Sequence, residues 1–275
     1  MTAVQGARRT AWRTARSGAL ETLTRVGFVG YGLLHLAVAW LAVQIALGHP
    51  GGDGDQSGAF RYLAGQPFGR VLLVVIVVGL AAMALWQLLL AAIGHRNERG
   101  FSRTAERLAS GARTVIYGAL AVTAWHVVAG DPTSNAEQQQ KATAGVMAHP
   151  WGHFLVGLAG LAVVALGIGL LVYGWRKKFE KRLMIARMRG DTRRLAVRLG
   201  QFGYVAKGIA FGIVGILLLD AAISDNPAKS RGLDAALRLL VHQPYGAVLL
   251  LAVAVGFGAF GAYCFFQSRY RKVRP

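Results

Sequence analysis

The sequence predicts an all-α integral membrane protein. Six transmembrane helices form three parallel two-helix repeats about a pseudo-threefold axis along the membrane normal. Three observations carry this reading: apolar runs long enough to span a bilayer recur six times, Lys and Arg gather at one end of each run, and one short turn motif recurs three times. The composition agrees. Apolar types make up 54% of the 275 residues, charged types 16%, and the mean hydropathy is +0.42. A soluble domain carries about 25% charged residues. These values exclude a disordered chain, a disulfide scaffold and a typical soluble enzyme.

A membrane-crossing helix needs about 20 mostly apolar residues. The runs extend roughly over Val26–Leu47, Gly69–Ile93, Arg113–Ala129, His153–Trp175, Gln201–Ala222 and Tyr245–Gln267. The third is the shortest and carries His126. A buried soluble bundle would show polar faces at a 3.6-residue period. The stretches VLLVVIVVGLAAMALWQLLLAAIG and FLVGLAGLAVVALGIGLLVYG show none.

Charge placement predicts the orientation. Of 31 Lys and Arg, 24 lie at one end of the spans and six at the other, with Lys207 left inside span five. The acids divide five to seven, so one face carries +19 and the other −1. Cytoplasmic loops collect Lys and Arg. Both termini are therefore expected in the cytoplasm, with the protein multi-pass in the inner cell membrane. An even number of spans follows. The basic residues flank spans, where anionic lipid headgroups are their expected partners. No nucleic-acid signature accompanies them, so no nucleic acid is expected. The N-terminal stretch reads as a basic leader containing Trp12, followed by an uncleaved first span.

The internal repeat is the most informative feature. QPFGRVLL (66–73), HPWGHFLV (149–156) and QPYGAVLL (243–250) share Gln or His, then Pro, an aromatic, Gly, two free positions and two aliphatics. Each opens an even-numbered span. Pro67, Pro150 and Pro244 are expected in the first helical turn, where a missing N–H costs nothing. Gly69, Gly152 and Gly246 are expected to let backbones approach. The preceding segments read as short amphipathic helices, with Ser57 and Ser230 as candidate N-caps. Each odd-numbered span has its own anchor: Tyr31-Gly32, Tyr117-Gly118 and Lys207-Gly208. Gly27 and Gly203 stand four residues before the first and third of these, and Arg113 stands before the second. The chain divides into a basic segment 1–22, repeat one at 23–95, repeat two at 107–178, a basic linker 179–198 and repeat three at 199–270.

With this [QH]-P-aromatic-G-x-x-L turn and G-x-x-x-[KY]-G helix start, the chain resembles the actinobacterial six-span family called domain of unknown function 1206. The resemblance runs from about Leu23 to Tyr270. It implies three tandem repeats in a membrane and carries no established activity. In that family the helix-start position is usually Arg or Lys before Gly, whereas here only Lys207 keeps the base and Tyr31 and Tyr117 replace it. Mitochondrial carriers also have three two-span repeats, but their signature of Pro, acid and base is absent, so only the geometry is shared.

Ionisable residues inside spans suggest function by default. Lys207, Tyr31 and Tyr117 hold one repeat position and are expected at one depth. Either they converge on the axis around an anionic ligand, or they face lipid with Lys207 snorkelling. His35 lies one turn after Tyr31, within reach of a Tyr–His hydrogen bond. His35 and His126 read as neutral embedded histidines. Gln44 and Gln87 read as interhelical hydrogen-bonders. GHPGGDGDQSG reads as a flexible loop, Cys264 as unreactive, and the 179–198 linker as solvated and lipid-touching. No metal-spaced cluster, phosphate loop or catalytic constellation is present, so no cofactor, metal or catalytic residue is expected. Two functional readings stand. The first is a non-enzymatic binding or structural module for a lipid, small molecule or membrane partner, a second copy included. The second is a small-solute or ion transporter or channel along the axis. The scarcity of polar groups at mid-membrane favours the first.

Overall fold

The structure, a computed structural model, describes residues 18–49, 52–93, 100–131 and 134–272. The basic leader as far as residue 17 lies outside these. Nine α-helices are present among the described residues: α1 (Gly18–Ala46), α2 (Gln56–Ala64), α3 (Gly69–Ile93), α4 (Gly100–Ala129), α5 (Asn135–Met147), α6 (Gly152–Trp175), α7 (Gly190–Ile223), α8 (Leu233–Val241) and α9 (Gly246–Tyr270). Six of them, α1, α3, α4, α6, α7 and α9, are long and apolar enough to span a membrane. The third span is longer than its apolar run suggests. It covers Ser102–Ala129, because the helix begins well before Arg113 and carries basic residues on its first turns. The other three helices, α2, α5 and α8, are short and lie at the end of the bundle opposite the basic face.

The spans pack in the order α4–α3–α1–α9–α7–α6. The last span thus meets the first, as a threefold arrangement of two-helix units requires. No extended packing joins α4 to α6, so the ring is open at that one position. Glycines set the close crossings. A Cβ on Gly32 would come 2.9 Å from the Gly261 carbonyl, and one on Gly208 would come 2.8 Å from the Gly167 carbonyl. Gly167 and Gly261 each stand 17 residues after the turn proline of their repeat, so the two crossings are repeat equivalents. Lipid tails are as apolar as Leu, so helices in a bilayer associate through such van der Waals packing. Inside the ring, Leu34, Leu41, Leu73, Ile76, Leu80 and Leu250 are almost fully buried, with Ala124 and Ala210 from two further spans in the same core.

The three Pro-aromatic-Gly segments are β-turns rather than first helical turns. The helices begin at Gly69, Gly152 and Gly246, two residues after each proline. Each glycine N–H donates to the Gln66, His149 or Gln243 carbonyl at 2.9, 2.8 and 2.8 Å. Proline therefore sits at the second turn position, which its fixed φ suits. Phe68 and Tyr245 adopt positive φ of 62° and 59°, which makes their turns type II-like. Trp151, at φ −99°, makes a type I-like turn. The glycine is required in all three, because a Cβ would strike the carbonyl of Leu63, Val146 or Val241 in the preceding short helix.

The short helices are tied together by charge. Asp53 accepts from Arg61 at 2.5 Å, Ser134 at 2.5 Å and Arg231 at 3.1 Å, joining the connections of all three repeats. Fully buried Asp234 accepts from Gly54 N–H, Arg238 and Arg231 at 2.8, 2.9 and 3.2 Å. Burial alone would raise the Asp53 carboxyl. The hydrogen bonds from Ser134 and Arg61, with the charges of Arg61 and Arg231, outweigh it and hold Asp53 below its ordinary range. The N-cap of α2 is Asp55 and not Ser57. Ser57 instead donates to Asp55 at 2.6 Å and accepts from the Asn135 N–H at 3.1 Å. Ser230 ends a 3-10 turn, and Gly232 precedes α8.

At the basic end, the linker is partly an inner structure and not wholly solvated. Phe179 and Leu183 are 0% and 1% exposed. Phe179 lies against Tyr204 and Tyr263, with ring centroids 5.5 and 5.3 Å away. The Met184 N–H donates to the Tyr270 carbonyl at 2.8 Å, and the Lys272 N–H to the Arg182 carbonyl at 2.9 Å. These apolar residues seat over the bundle, while Lys177, Lys178 and Lys181 beside them are exposed and Arg182 lies 5.8 Å from the Tyr173 ring centroid. Residues from Gly190 onward already belong to α7.

Removing one partner of a buried ion pair strands the other charges and costs about 3–5 kcal/mol. Asp234→Ala should therefore lower the unfolding midpoint of the detergent-solubilised chain markedly. Thermal unfolding followed by circular dichroism checks this, and an unchanged midpoint would show that the network does not hold the repeats together.

Candidate functional site

Lys207 lies on the inner side of α7 and is 9% exposed. Its ammonium donates to the Tyr31 hydroxyl at 3.0 Å and to His35 Nε2 at 3.2 Å. It also stands 4.1 Å from the Phe260 ring centroid, within cation–π range. Its three N–H directions thus meet a phenol, an imidazole and an aromatic face. Each partner is neutral, and no carboxylate pairs with Lys207 among the described residues.

Local helix geometry builds this arrangement. Tyr31 and His35 are four residues apart on α1 and therefore share a face. The His35 bond goes to the Tyr31 backbone and not to its phenol: Nδ1–H donates to the Tyr31 carbonyl at 2.9 Å. With Nδ1 holding the proton, Nε2 presents its lone pair to Lys207. From α4, the Tyr117 ring meets Tyr31 edge-on at 5.3 Å. The three odd-numbered spans therefore bring the same repeat position together. Lys207 does not snorkel. The convergent arrangement sets one ammonium against the Tyr31 phenol, with the Tyr117 ring packed on that phenol, a setting that can hold a single negative charge.

The remaining candidates lie elsewhere. His126 is at the far end of α4, 42% exposed, and 3.4 Å from Asp131. It takes no part in the cluster. Gln87 is buried, and its Oε1 has no partner among the described residues. Pro67, Gly69, Pro150, Gly152, Pro244 and Gly246 shape the turns described above, far from Lys207 along their helices. Phe260 belongs to the cluster although its residue type alone does not single it out. Its signal is positional: it stands 16 residues after Pro244, as Met83 does after Pro67, and both face the odd-numbered span of their own repeat.

Fold and site together define a polytopic membrane protein of three tandem two-helix repeats around a buried lysine. The chain belongs to the family described as Domain of Unknown Function (DUF1206), whose model matches residues 26–94, 108–177 and 202–271. It is 31% identical to "Uncharacterized protein YxxB" of Bacillus subtilis (strain 168) over 256 residues, which cover 92% of this chain and 91% of that protein. No solved structure matches the chain.

A buried cation without a counter-ion costs stability, so a chain that retains one for function should not need it to fold. Lys207→Met should stay folded, with stability within about 1 kcal/mol of the parent or above it. Unfolding midpoints in detergent test this. A collapse of the fold would make Lys207 a structural pin instead.

Proposed function

We propose that this protein is a non-enzymatic binding module of the cell membrane, with both termini in the cytoplasm. Its ligand is an anionic lipid or small molecule held at Lys207 by the ammonium and the Tyr31 phenol, with the Tyr117 ring packed on that phenol. The observation that carries this is the inward-facing ammonium surrounded only by neutral groups. The packed apolar side chains beyond it, among them Leu34, Leu41 and Phe257, favour binding over passage along the axis. The uneven charge of the two faces supports the orientation.

Labelling of single cysteines in a Cys264→Ala chain tests the orientation. Gln138→Cys, exposed at the neutral face, should react with a membrane-impermeant maleimide in intact cells, and Lys178→Cys only after permeabilisation. The reverse pattern would invert the topology.

Ligand-linked stabilisation tests the binding. Inorganic phosphate should raise the unfolding midpoint of the parent chain by several degrees, and Lys207→Met should abolish that shift. Equal responses of the two chains would refute an anion site at Lys207.

A further inference from the structure

The open position in the ring lies within repeat two. In repeats one and three, the two spans of a repeat approach closely at small residues. A Cβ on Gly27 would come 2.9 Å from the Gly79 carbonyl, and one on Gly30 would come 3.2 Å from Ile76 Cα. A Cβ on Gly203 would come 2.6 Å from Phe260 Cα, and one on Gly256 would overlap Ala206. The equivalent pair on α4 is Arg113 and Ile116. Where repeats one and three have Gly27/Gly30 and Gly203/Ala206, α4 thus carries two large side chains, and α6 stands away from it.

The consequence is visible on α6. Ala159, Ala162, Leu166 and Gly169 are exposed, with Leu166 at 49%. Their equivalents are buried in both other repeats: Ile76, Gly79, Met83 and Trp86 in one, Val253, Gly256, Phe260 and Tyr263 in the other. On the facing helix Ile116 is 54% exposed. A stripe that the fold covers twice is thus left open once, and it is lined by small and apolar side chains. Its eleven residues, Ala159–Gly169, rise about 15 Å, the depth of one leaflet of the hydrocarbon core. Arg113 stands at its α4 wall, one turn toward the basic face from Tyr117. No acid pairs with Arg113 among the described residues, and Glu106, two turns earlier, pairs with Arg182 at 3.8 Å.

We propose that this seam between α4 and α6 is a lateral site for one anionic phospholipid of the basic-face leaflet. The acyl chain lies along the Ala159–Gly169 stripe and the phosphate meets the Arg113 guanidinium. A basic residue between spans, near the charged face, suits an anionic headgroup. A second copy of the chain fits less well. Its basic face would bring a further strongly positive surface alongside the first, and Arg113 and Ile116 keep a helix from the approach that Gly27 and Gly30 permit. The seam adjoins the Lys207 cluster, because Arg113 lies within electrostatic reach of Tyr31 and Tyr117, but the proposal does not depend on a ligand at Lys207.

Native mass spectrometry of the full chain, released from detergent after incubation with phosphatidylglycerol, phosphatidylcholine or inorganic phosphate, tests this. The parent chain should retain phosphatidylglycerol at least five-fold better than phosphatidylcholine. Arg113→Gly with Ile116→Ala should close the seam and reduce phosphatidylglycerol to the phosphatidylcholine level, whereas Arg113→Lys should keep the preference. Ala162→Phe, on the other wall with Arg113 intact, should also cut retention, which guards against misfolding of the double variant. Lys207→Met should keep the lipid. Equal retention of the two lipids, retention by the double variant, displacement of lipid by free phosphate, or a lipid-free dimer would each overturn the proposal. Loss in Lys207→Met with retention in the double variant would place the lipid on the axis and leave the Lys207 reading standing. The converse pattern is the one expected of the seam, and it leaves the Lys207 site to the phosphate test above.

Discussion

Close backbone contact between successive repeats is the constraint on which this architecture depends. A bilayer offers helices no hydrophobic reason to associate, so they must gain contact by proximity. Gly32 against Gly261 and Gly208 against Gly167 provide it at equivalent crossings. The first of these joins the two ends of the chain and completes the ring as far as it is complete. The glycine of the helix-start anchor thus fixes how two repeats meet. The residue before it is then turned inward, and Lys207, Tyr31 and His35 come within hydrogen-bonding distance. Packing and site are consequences of one two-residue motif.

Much of the fold is legible in the sequence, because span length, charge bias and a threefold repeat each read independently. Local details were harder. Pro67 and Pro244 look like helix openers, yet Phe68 and Tyr245 occupy the left-handed region, which favours Gly or Asn over an aromatic. Ser57 looks like a cap, yet Asp55, two residues earlier, captures both its hydroxyl and its N–H. The linker reads as solvated because its many bases dominate the count, while Phe179 and Leu183 decide where it goes. In the site, Lys207 and the two tyrosines are readable from register. Phe260 is not, since it depends on how neighbouring helices rotate, and the His35 bond to the Tyr31 carbonyl of its own helix is a choice of rotamer.

Arg113 shows a different kind of legibility. Its departure from the glycine pattern is plain in the sequence, but its meaning appears only beside Gly27 and Gly203 in contact with their partner helices. One substituted position, supported by Ile116, separates two spans that the repeat would otherwise hold together. The asymmetry is confined to repeat two, where α6 instead packs closely on α7. A duplicated architecture can thus acquire an individual feature without altering its topology, because each interface between spans is set by a few small residues.

The meeting of α1 with α9 also bears on how the protein is made. Spans enter the membrane in order from the ribosome, so Gly32 of α1 has no packing partner until α9 arrives, while Tyr31 and His35 wait for Tyr117 of α4 and Lys207 of α7. Through most of synthesis that polar pair is presented to lipid or to the insertion machinery. The final helix, together with the strand-like pairing of Leu183 and Arg271 beyond it, acts as a keystone. Assembly is therefore not a gradual accumulation of stability along the chain but a late closure, and the lysine acquires its two α1 hydrogen-bond partners and its aromatic neighbour only within that closed arrangement.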